Sequence, residues 1–441
     1  QNAVLVEQQM GLYQNDSLTA YIKAVGERLV AGLEENPFTF RFFIADDEMP
    51  NAFALPGGYV YVTRGLLPLL NNENELATIM GHEIIHAYRR HAVKQMKKSI
   101  LPSLLELSGN IIGAVAGAPV GDLINTPIRA GNQLVLAGYS RKYETEADKL
   151  GVALAARAGY DPADMNEILT RLSAYIAALS GNEEKRNYFN DHPYTPDRVK
   201  RINKQIEKID WQAGTMIHAD LRLMLDNLLY GPDPAKGVFV NNVFIQPETE
   251  LVVHFPDKWH TLHEEAVVGA APADQQAAQL ITLDTALAPA QSAALFARQF
   301  AQKYQTQPVK EGAKTIAGRP GYFLQYKQNS SQGPVSLDLV WFMVNDRHYR
   351  LVSVSNTQHQ SALETTLQSI HRLTKEEKPL VKQYRLRVVQ LRQGEDLNGL
   401  SVRSGNILPM KLTLLLNGLT LTSQLQAGKP IKVVVEEKYF K

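Results

Sequence analysis

The pentapeptide HEIIH at residues 82–86 constrains the fold of this chain more than any other short segment. On an α-helix, residues four positions apart share a face, so the imidazoles of His82 and His86 can converge on one ion. Glu83 then lies beside that ion and can reach a water bound to it. Because the motif also arises by chance on solvated helices, it favours metal-assisted hydrolysis without establishing it.

A catalytic zinc site needs a third protein ligand and an open position for water. The chain has no cysteine, so that ligand must be a histidine or a carboxylate. One class of zinc protease continues the motif as HExxHxxGxxH, but here Arg89 and Ala92 occupy the positions of its glycine and last histidine. His91 is one residue out of phase, and a surface or packing role is favoured for it.

A later helix offers a carboxylate as the alternative third ligand. Glu144 and Asp148 are four residues apart and share a helix face, so one can bind the ion while the other orients a metal-bound histidine. Glu144 is the predicted ligand and Asp148 the predicted partner of a histidine. Glu146 is expected to point to solvent.

Composition excludes several classes of function. Lys and Arg number 46 and Asp and Glu 45, a net charge of +1, and no basic cluster is interleaved with stacking aromatics, which disfavours nucleic-acid binding. The most apolar stretch, residues 111–120, is about half the length of a transmembrane helix, so no membrane span is expected. Because the chain begins at Gln1 and not at Met, we expect that a segment was removed, either by a signal peptidase or in cloning, and an exported protein is favoured.

The apolar periodicity changes along the chain and predicts an α+β, multidomain protein. Residues 1–230 read as a mainly helical domain, 238–374 as an α+β accessory domain and 384–441 as a small α+β unit, with linkers near 231–237 and 375–378. Helices are predicted at about 18–33, 74–99, 144–158, 293–304 and 363–373, the second capped by Asn72 or Asn74. Strands are predicted at 39–44, 59–62, 251–253, 266–268, 321–327, 335–344 and 349–355.

Five blocks together resemble the M48 family of zinc metallopeptidases, in its soluble, exported bacterial branch. They are NAFALPGGYVYV with RGLL at 51–67, GHEIIH with RH at 81–91, YSR at 139–141, ETEAD with Gly151 at 144–151, and AGYDP at 158–162. The resemblance implies a zincin-type protease domain that binds one zinc ion per chain through His82, His86 and Glu144, with Glu83 as general base.

The resemblance also implies an edge strand against which an extended substrate pairs, formed by Gly58, Tyr59, Val60, Tyr61 and Val62. A further His-Pro block of the family is matched by DHPYTPDR at residues 191–198. His192 either stabilises the oxyanion of the reaction or acts as a fourth zinc ligand that keeps the enzyme latent. Arg198 either donates to the same oxyanion or pairs with a carboxylate.

The two later regions show weaker resemblances. Residues 238–374 resemble small α/β sandwich domains of photosystem accessory proteins and suggest a binding or positioning role. There, His260 and His263 with Glu264 form a conceivable second metal site, although surface packing is favoured for them. Residues 388–433 are similar to a LysM module, a βααβ unit that binds glycans rich in N-acetylglucosamine, which implies contact with peptidoglycan or an envelope protein.

Two functions therefore remain open. The first is a periplasmic or otherwise exported zinc endopeptidase of the bacterial envelope that cleaves unfolded, misfolded or misassembled proteins. The second is a latent, protease-like chaperone or binding protein that holds clients or glycan with its C-terminal domains. The complete set of His82, Glu83, His86 and Glu144 favours the first.

Overall fold

The computed structural model describes residues 2–37, 39–96, 138–179, 188–193, 196–214, 220–264, 267–284, 286–330 and 333–440. The apolar stretch at 111–120 lies outside the described residues. The described residues form two compact units: the first draws on those within 2–96, 138–231 and 383–437, and the second on those within 232–382 and 438–440. Both units combine helices with sheets, so the predicted α+β, multidomain class is confirmed.

The first unit contains the helices α1 (Asn2–Gln9), α2 (Asp16–Ala31), α3 (Glu73–Tyr88), α4 (His91–Met96), α5 (Arg141–Arg157), α6 (Asp164–Leu179), α7 (Tyr188–Asp191), α8 (Pro196–Ile206), α9 (Leu221–Met224), α12 (Leu397–Ser404) and α13 (Met410–Leu416). Its strands are β1 (Arg41–Ala45), β2 (Ala52–Leu55), β3 (Tyr59–Thr63), β4 (Leu229–Tyr230), β16 (Lys382–Gln390) and β17 (Pro430–Lys438). A short 3-10 turn spans Leu67–Leu69.

Strand β3 is the central strand of a three-stranded sheet with the order β1-β3-β2. It pairs in parallel with β1, Tyr59 opposite Arg41, and antiparallel with β2, Tyr59 opposite Leu55. The prediction that residues 58–62 form an edge strand is therefore wrong, because both sides of Tyr59 to Val62 are already hydrogen-bonded within the sheet. Among the described residues, β1 and β2 are the outer strands.

The helix that carries the HEIIH motif is shorter than predicted. Asn72 caps α3 by accepting a hydrogen bond from the backbone N–H of Glu75, and the helix ends at Tyr88. Arg90 follows in the left-handed region with φ of 55°, which is uncommon for a residue other than glycine. The backbone turns there, and α4 begins at His91. The predicted single helix over 74–99 is thus divided at Arg89 and Arg90.

The second unit contains α10 (Pro289–Tyr304), α11 (Ser361–Ser369) and 3-10 turns at Pro234–Lys236 and Lys378–Leu380. Its strands are β5 (Val238–Val240), β6 (Val243–Gln246), β7 (Leu251–His254), β8 (His260–Glu264), β9 (Val267–Ala271), β10 (Ala277–Leu283), β11 (Lys310–Ile316), β12 (Arg319–Ser330), β13 (Gly333–Val344), β14 (Arg347–Asn356) and β15 (His371–Arg372). They form a seven-stranded sheet, β11-β12-β13-β14-β10-β9-β8, and a four-stranded sheet, β15-β7-β6-β5.

Strand β13 shows how the seven-stranded sheet is covered on both faces. Leu337, Leu339 and Trp341 belong to a core that includes Phe296 and Phe300 of α10. The alternate residues of the strand, among them Val340, belong to a second core that is shared with β7 of the smaller sheet. A strand places successive side chains on opposite faces, so this alternation packs a helix on one face and a sheet on the other.

The C-terminal residues follow the order β16, α12, α13, β17, which is the βααβ order of the predicted LysM-like unit. They have a small core of their own, centred on Leu400 and Val433. However, Leu416 and Val434 belong to the large core that includes α3 and α5. Residues 384–437 lie in one compact unit with residues of the predicted first domain. The division into three domains stays a prediction.

Lys432 fixes β17 to the segment that leads into α3. Its Nζ donates hydrogen bonds to the carbonyl oxygens of Pro68, at 2.5 Å, and Leu70, at 2.7 Å, and its side chain is fully buried. A neutral amine has two N–H donors, which is enough for both acceptors. Burial lowers the pKa of Lys432 well below the usual range for lysine.

Because the pKa of Lys432 is lowered in the folded protein, the free energy of unfolding should depend on pH. Unfolding returns Lys432 to an ordinary lysine pKa, so between the two values the unfolded chain binds more protons than the folded one. The free energy of unfolding should therefore rise with pH across that interval, and Lys432→Met should remove this contribution. Urea unfolding of both proteins at several pH values between 6 and about 10 measures it. Equal pH slopes for the two proteins would contradict the prediction.

No helix among the described residues is both long enough and apolar enough to cross a bilayer.

Candidate active site

Two glycines allow α3 and α5 to approach closely enough to form one site. A Cβ atom on Gly151 would lie 2.9 Å from the backbone of His82, and one on Gly81 would lie 3.0 Å from the carbonyl oxygen of Gly151. Real Cβ atoms essentially never come closer than 3.0 Å, so a larger residue at Gly151 would push the helices apart, and one at Gly81 would make an unusually tight contact. The close approach places Glu144, in the first turn of α5, opposite His82 and His86.

Four side chains direct metal-binding atoms at one point. His82, His86, Glu144 and His192 are all buried, and one ligand atom from each lies within 4.8 Å of all the others. Nε2 of His82 and Nε2 of His86 are 2.9 Å apart, and Nε2 of His86 is 3.3 Å from Oε1 of Glu144. The structure therefore brings the three predicted zinc ligands together, with His192 beside them.

Glu83 lies next to this group and is fully buried. Its Oε1 is 3.4 Å from Nε2 of His192, but neither carboxylate oxygen accepts a hydrogen bond from the described residues. Burial raises the pKa of Glu83 above the usual range, although His192 and His82 oppose the shift. A carboxylate in this setting accepts a proton more readily than an exposed one.

Asp148 and Arg198 form a buried pair behind His82. Oδ1 of Asp148 lies 3.1 Å from Nδ1 of His82, the ring atom that faces away from His86. Arg198 donates from Nη2 to Oδ1 of Asp148, at 2.8 Å, and from Nη1 to the carbonyl oxygen of His192, at 3.0 Å. Of the two predicted roles of Arg198, the arrangement matches pairing with a carboxylate, and it places Asp148 where it can orient His82.

His192 lies between two carboxylates. Its Nδ1 is 3.0 Å from Oε1 of Glu144 and 3.2 Å from Nε2 of His82, and the ring of Tyr188 stacks on it with centroids 4.5 Å apart. Burial lowers the pKa of His192, but attraction by Glu144 and Glu83 outweighs it and raises the pKa to about 9. For Glu144 the effects have the opposite sign. Burial raises its pKa, but His192 and His86 outweigh burial and bring the pKa well below its usual range.

His91 lies beside the site and not at the surface, one of the two roles that the sequence favoured for it. It is fully buried, and its Nδ1 lies 3.1 Å from Nδ1 of His86. Its Nε2 lies 3.4 Å from Oε2 of Glu146, a residue expected to point to solvent. The left-handed conformation of Arg90 turns the chain after α3, so that His91 lies against the ring of His86. The only signal in the sequence was the Arg90-His91 pair that resembles the family block.

The contact between His91 and His86 leads to a prediction about metal affinity. If His91 accepts the Nδ1–H of His86, it holds the lone pair of Nε2 towards the other ligands. We expect His91→Phe to weaken metal binding by about 10-fold to 100-fold, the range found for such outer partners. Competition with a chelating dye measures the affinity, and Arg89→Ala, which removes a half-exposed partner of Glu146, is the control. Unchanged affinity in His91→Phe would rule out this role.

An apolar cavity opens beside the four side chains. It has a volume of about 250 Å³ and is lined by Ala54, Leu55, Pro56, Gly57, His86, Ala87, Arg90, Ala92, Val93 and Tyr139. The ring of Tyr139 stacks on His86 with centroids 3.9 Å apart. The cavity therefore joins β2, an outer strand of the sheet, to one of the predicted ligands.

These residues fit a divalent metal ion. Two imidazoles and a carboxylate form a typical donor set for zinc, and they are buried with their donor atoms facing one another. Oε2 of Glu144 accepts no hydrogen bond from the described residues, so a carboxylate oxygen remains for an ion. Two helices that carry HExxH and a following glutamate define a metallopeptidase-type site.

Comparison with known proteins identifies the domain that carries these residues. Residues 16–206 match the model of peptidase family M48. The chain is 32% identical over 164 residues to the beta-barrel assembly-enhancing protease of Escherichia coli, covering 36% of this chain and 34% of that protein. It is 30% identical over 165 residues to the mitochondrial metalloendopeptidase OMA1 of Saccharomyces cerevisiae, covering 36% of this chain and 44% of that protein. The chain therefore carries a peptidase M48 domain, which confirms the resemblance.

The chain thus spans less than half the length of either relative. Among solved structures, the solution structure of cyanobacterial PsbP from Synechocystis matches with a TM-score of 0.25 at 10% identity, covering 31% of this chain and 95% of that one. A similarity this low supports no argument, and the sandwich-like resemblance of residues 238–374 stays a prediction.

Proposed function

We propose that the chain is a zinc-dependent endopeptidase that binds one zinc ion through His82, His86 and Glu144. The observation that carries the proposal is the convergence of these three buried donors beside the buried carboxylate of Glu83. The M48 match over residues 16–206 supports it, because this stretch contains every one of these residues. Zinc suits two imidazoles and a carboxylate.

A bound zinc ion would supply Lewis acidity and a water of lowered pKa. Glu83 accepts the proton of the attacking water and then delivers it to the amine nitrogen of the leaving peptide. Its raised pKa suits both steps, because the carboxylate must take up the proton and give it away within one turnover. Asp148 holds the ring of His82, and Arg198 compensates the charge of Asp148.

We propose that the substrate is an extended polypeptide that pairs with the outer strand β2. Residues Ala54 to Gly57 line the cavity that reaches His86, so a chain added at this edge would pass the metal-binding group. This replaces the central strand β3 as the substrate edge. Only an unfolded or misassembled segment offers free backbone for such pairing, which supports cleavage of unfolded proteins.

The name of the E. coli relative supports a place in the bacterial envelope. We therefore propose an exported, periplasmic protein that acts on unfolded or misassembled envelope proteins. The βααβ order of the C-terminal residues is compatible with a LysM-like unit, and contact with peptidoglycan or an envelope protein through it is part of this proposal.

His192 has two possible roles, and its position supports the one that restrains the enzyme. Its Nδ1 lies among the three ligand atoms, where it can act as a fourth ligand and fill the position that a water needs. His192→Ala would then raise the cleavage rate, whereas loss of an oxyanion donor would lower it by about 100-fold or more. A steady-state rate on an unstructured peptide separates the two roles.

The proposed activity is tested with an unfolded protein substrate, such as reduced and alkylated casein, and a folded protein as control. We expect cleavage of the unfolded substrate and not of the folded one. A zinc chelator should abolish this cleavage, and added zinc should restore it. The alternative, a chaperone-like binding protein, predicts retention of the unfolded substrate without cleavage in any of these conditions, including the His192→Ala variant.

A further inference from the structure

The second unit contains another group of side chains with metal-binding atoms, formed by His254, His371 and Glu377 and called here the His371 cluster. One ligand atom from each lies within 4.8 Å of the others. It is not the second metal site that the sequence suggested at His260 and His263. Those two histidines lie on β8, and Nε2 of His263 faces the carbonyl oxygen of Lys236, at 3.3 Å.

His371 is held in one orientation by the backbone. Its Nδ1 lies 2.6 Å from the carbonyl oxygen of Ser369, which can only accept, so Nδ1 carries the hydrogen. In the neutral ring the lone pair is then on Nε2. Metal-binding histidines are commonly oriented in this way, with the other ring nitrogen donating to a carbonyl or carboxylate.

Glu377 is oriented from its other side. Its Oε2 accepts hydrogen bonds from the backbone N–H of Thr374, at 2.9 Å, and from the Thr374 hydroxyl, at 2.8 Å. Its Oε1 is thereby directed at Nε2 of His371, 2.9 Å away. Two acceptor atoms this close repel each other unless a cation lies between them, and that cation is either a proton or a metal ion.

His254 supplies a third donor and is tied to the same serine. The Ser369 hydroxyl oxygen accepts a hydrogen bond from the backbone N–H of His254, at 2.9 Å, at the end of β7. The rings of His254 and His371 have centroids 5.9 Å apart. Ser369 thus holds both histidines, one through its hydroxyl and one through its carbonyl. A proton shared by His371 and Glu377 leaves the nearby ring of His254 without a role, whereas a metal ion uses all three.

We propose that the His371 cluster is a second divalent-metal site, separate from the peptidase site and selective for ions that prefer imidazole, such as zinc. His254 is exposed, and the side chains of His371 and Glu377 are 37% and 21% exposed. An ion can therefore enter from solvent and keep water in its remaining positions, unlike an ion held by the buried residues of α3 and α5. The site would stabilise the junction of β7 and β15, which pair at Val252 and His371.

The test counts bound zinc on the full chain without an affinity tag. Metal-free protein is dialysed against micromolar zinc at pH 7.5, and zinc per chain is measured by mass spectrometry. We expect about two ions for the unaltered chain, about one for His371→Ala and for Glu377→Gln, and about one for His86→Ala. The His371→Ala, His86→Ala double variant should retain almost none.

His359→Ala is the matched control. His359 lies in the same unit and also faces a carboxylate, with Nε2 3.2 Å from Oδ2 of Asp274, but it belongs to no group of three ligands among the described residues. It should keep two ions. One ion in the unaltered chain that is lost in His86→Ala and kept in His371→Ala would overturn the second site and leave the peptidase site intact. Glu377→Gln keeps the shape of the side chain, so unchanged zinc in that variant would overturn the proposal even if His371→Ala failed to fold.

Discussion

Replacing Glu83 with glutamine is expected to lower kcat for peptide cleavage by about a thousandfold, within the range of a lost general base. Glutamine keeps the size of the side chain but cannot accept the proton of the attacking water. Zinc content should not change, because Glu83 is not among the four residues whose ligand atoms converge on one point. The free energy of unfolding should stay the same or rise, since burial disfavours the charged carboxylate.

The control is Glu73→Gln on the same helix. Glu73 is also buried, but its Oε2 accepts a hydrogen bond from the hydroxyl of Tyr21, at 2.7 Å, away from the metal-binding group. This variant should cleave at close to the original rate. Equal rates for Glu83→Gln and the unaltered protein, at equal zinc content, would refute the assignment of Glu83.

The second large effect is expected at Glu144. Glu144→Ala removes one of three ligands and the carboxylate that faces both His86 and His192. Zinc content should fall from about one ion to near zero at the peptidase site, and cleavage should be lost with it. The measurement is made with His371→Ala in the background, so that zinc in the second unit does not mask the loss.

Glu27→Ala is the control for Glu144→Ala. Glu27 is 62% exposed, and within the described part of the chain its ion-pair partner is Lys23, one helix turn away at 3.7 Å. Its loss therefore removes a carboxylate without touching the site. Zinc content and cleavage should stay unchanged. If Glu144→Ala folds and still holds its zinc through dialysis, another residue must be the third ligand.

Much of the peptidase site could be predicted from residue spacing alone. Four-residue spacing on a helix accounts for His82 with His86 and for Glu144 with Asp148. The approach of the two helices could not be predicted in the same way, because it depends on the contact of Gly81 with Gly151, which are 70 residues apart in sequence order. Spacing shows which side chains share a face but not which two faces meet.

The predictions of a single helix over 74–99 and of an edge strand at 58–62 were wrong for local structural reasons. The long helix predicted over 74–99 is interrupted because Arg90 adopts a left-handed conformation, which propensity does not reveal for arginine. That turn also buries His91, so the same feature hid a residue of the site. Tyr59 to Val62 were placed at an edge from the resemblance, yet a second partner, β1, occupies the other side of the strand.

The C-terminal residues show a limit of another kind. Their βααβ order was implied only by the resemblance to a LysM module, and Leu400 and Val433 belong to a small core of these residues. The burial of Lys432 against the carbonyl oxygens of Pro68 and Leu70 could not be predicted from the sequence. A lysine is normally exposed, and nothing near Lys432 in the sequence indicates a buried partner.

We propose that His82, His86 and Glu144 bind a zinc ion beside Glu83. Anomalous diffraction from crystals of the zinc-loaded chain, recorded on both sides of the zinc absorption edge, tests it most directly. We predict a strong anomalous peak within bonding distance of Nε2 of His82, Nε2 of His86 and a carboxylate oxygen of Glu144. Crystals of protein that contains zinc but shows no peak at these three atoms would contradict the account.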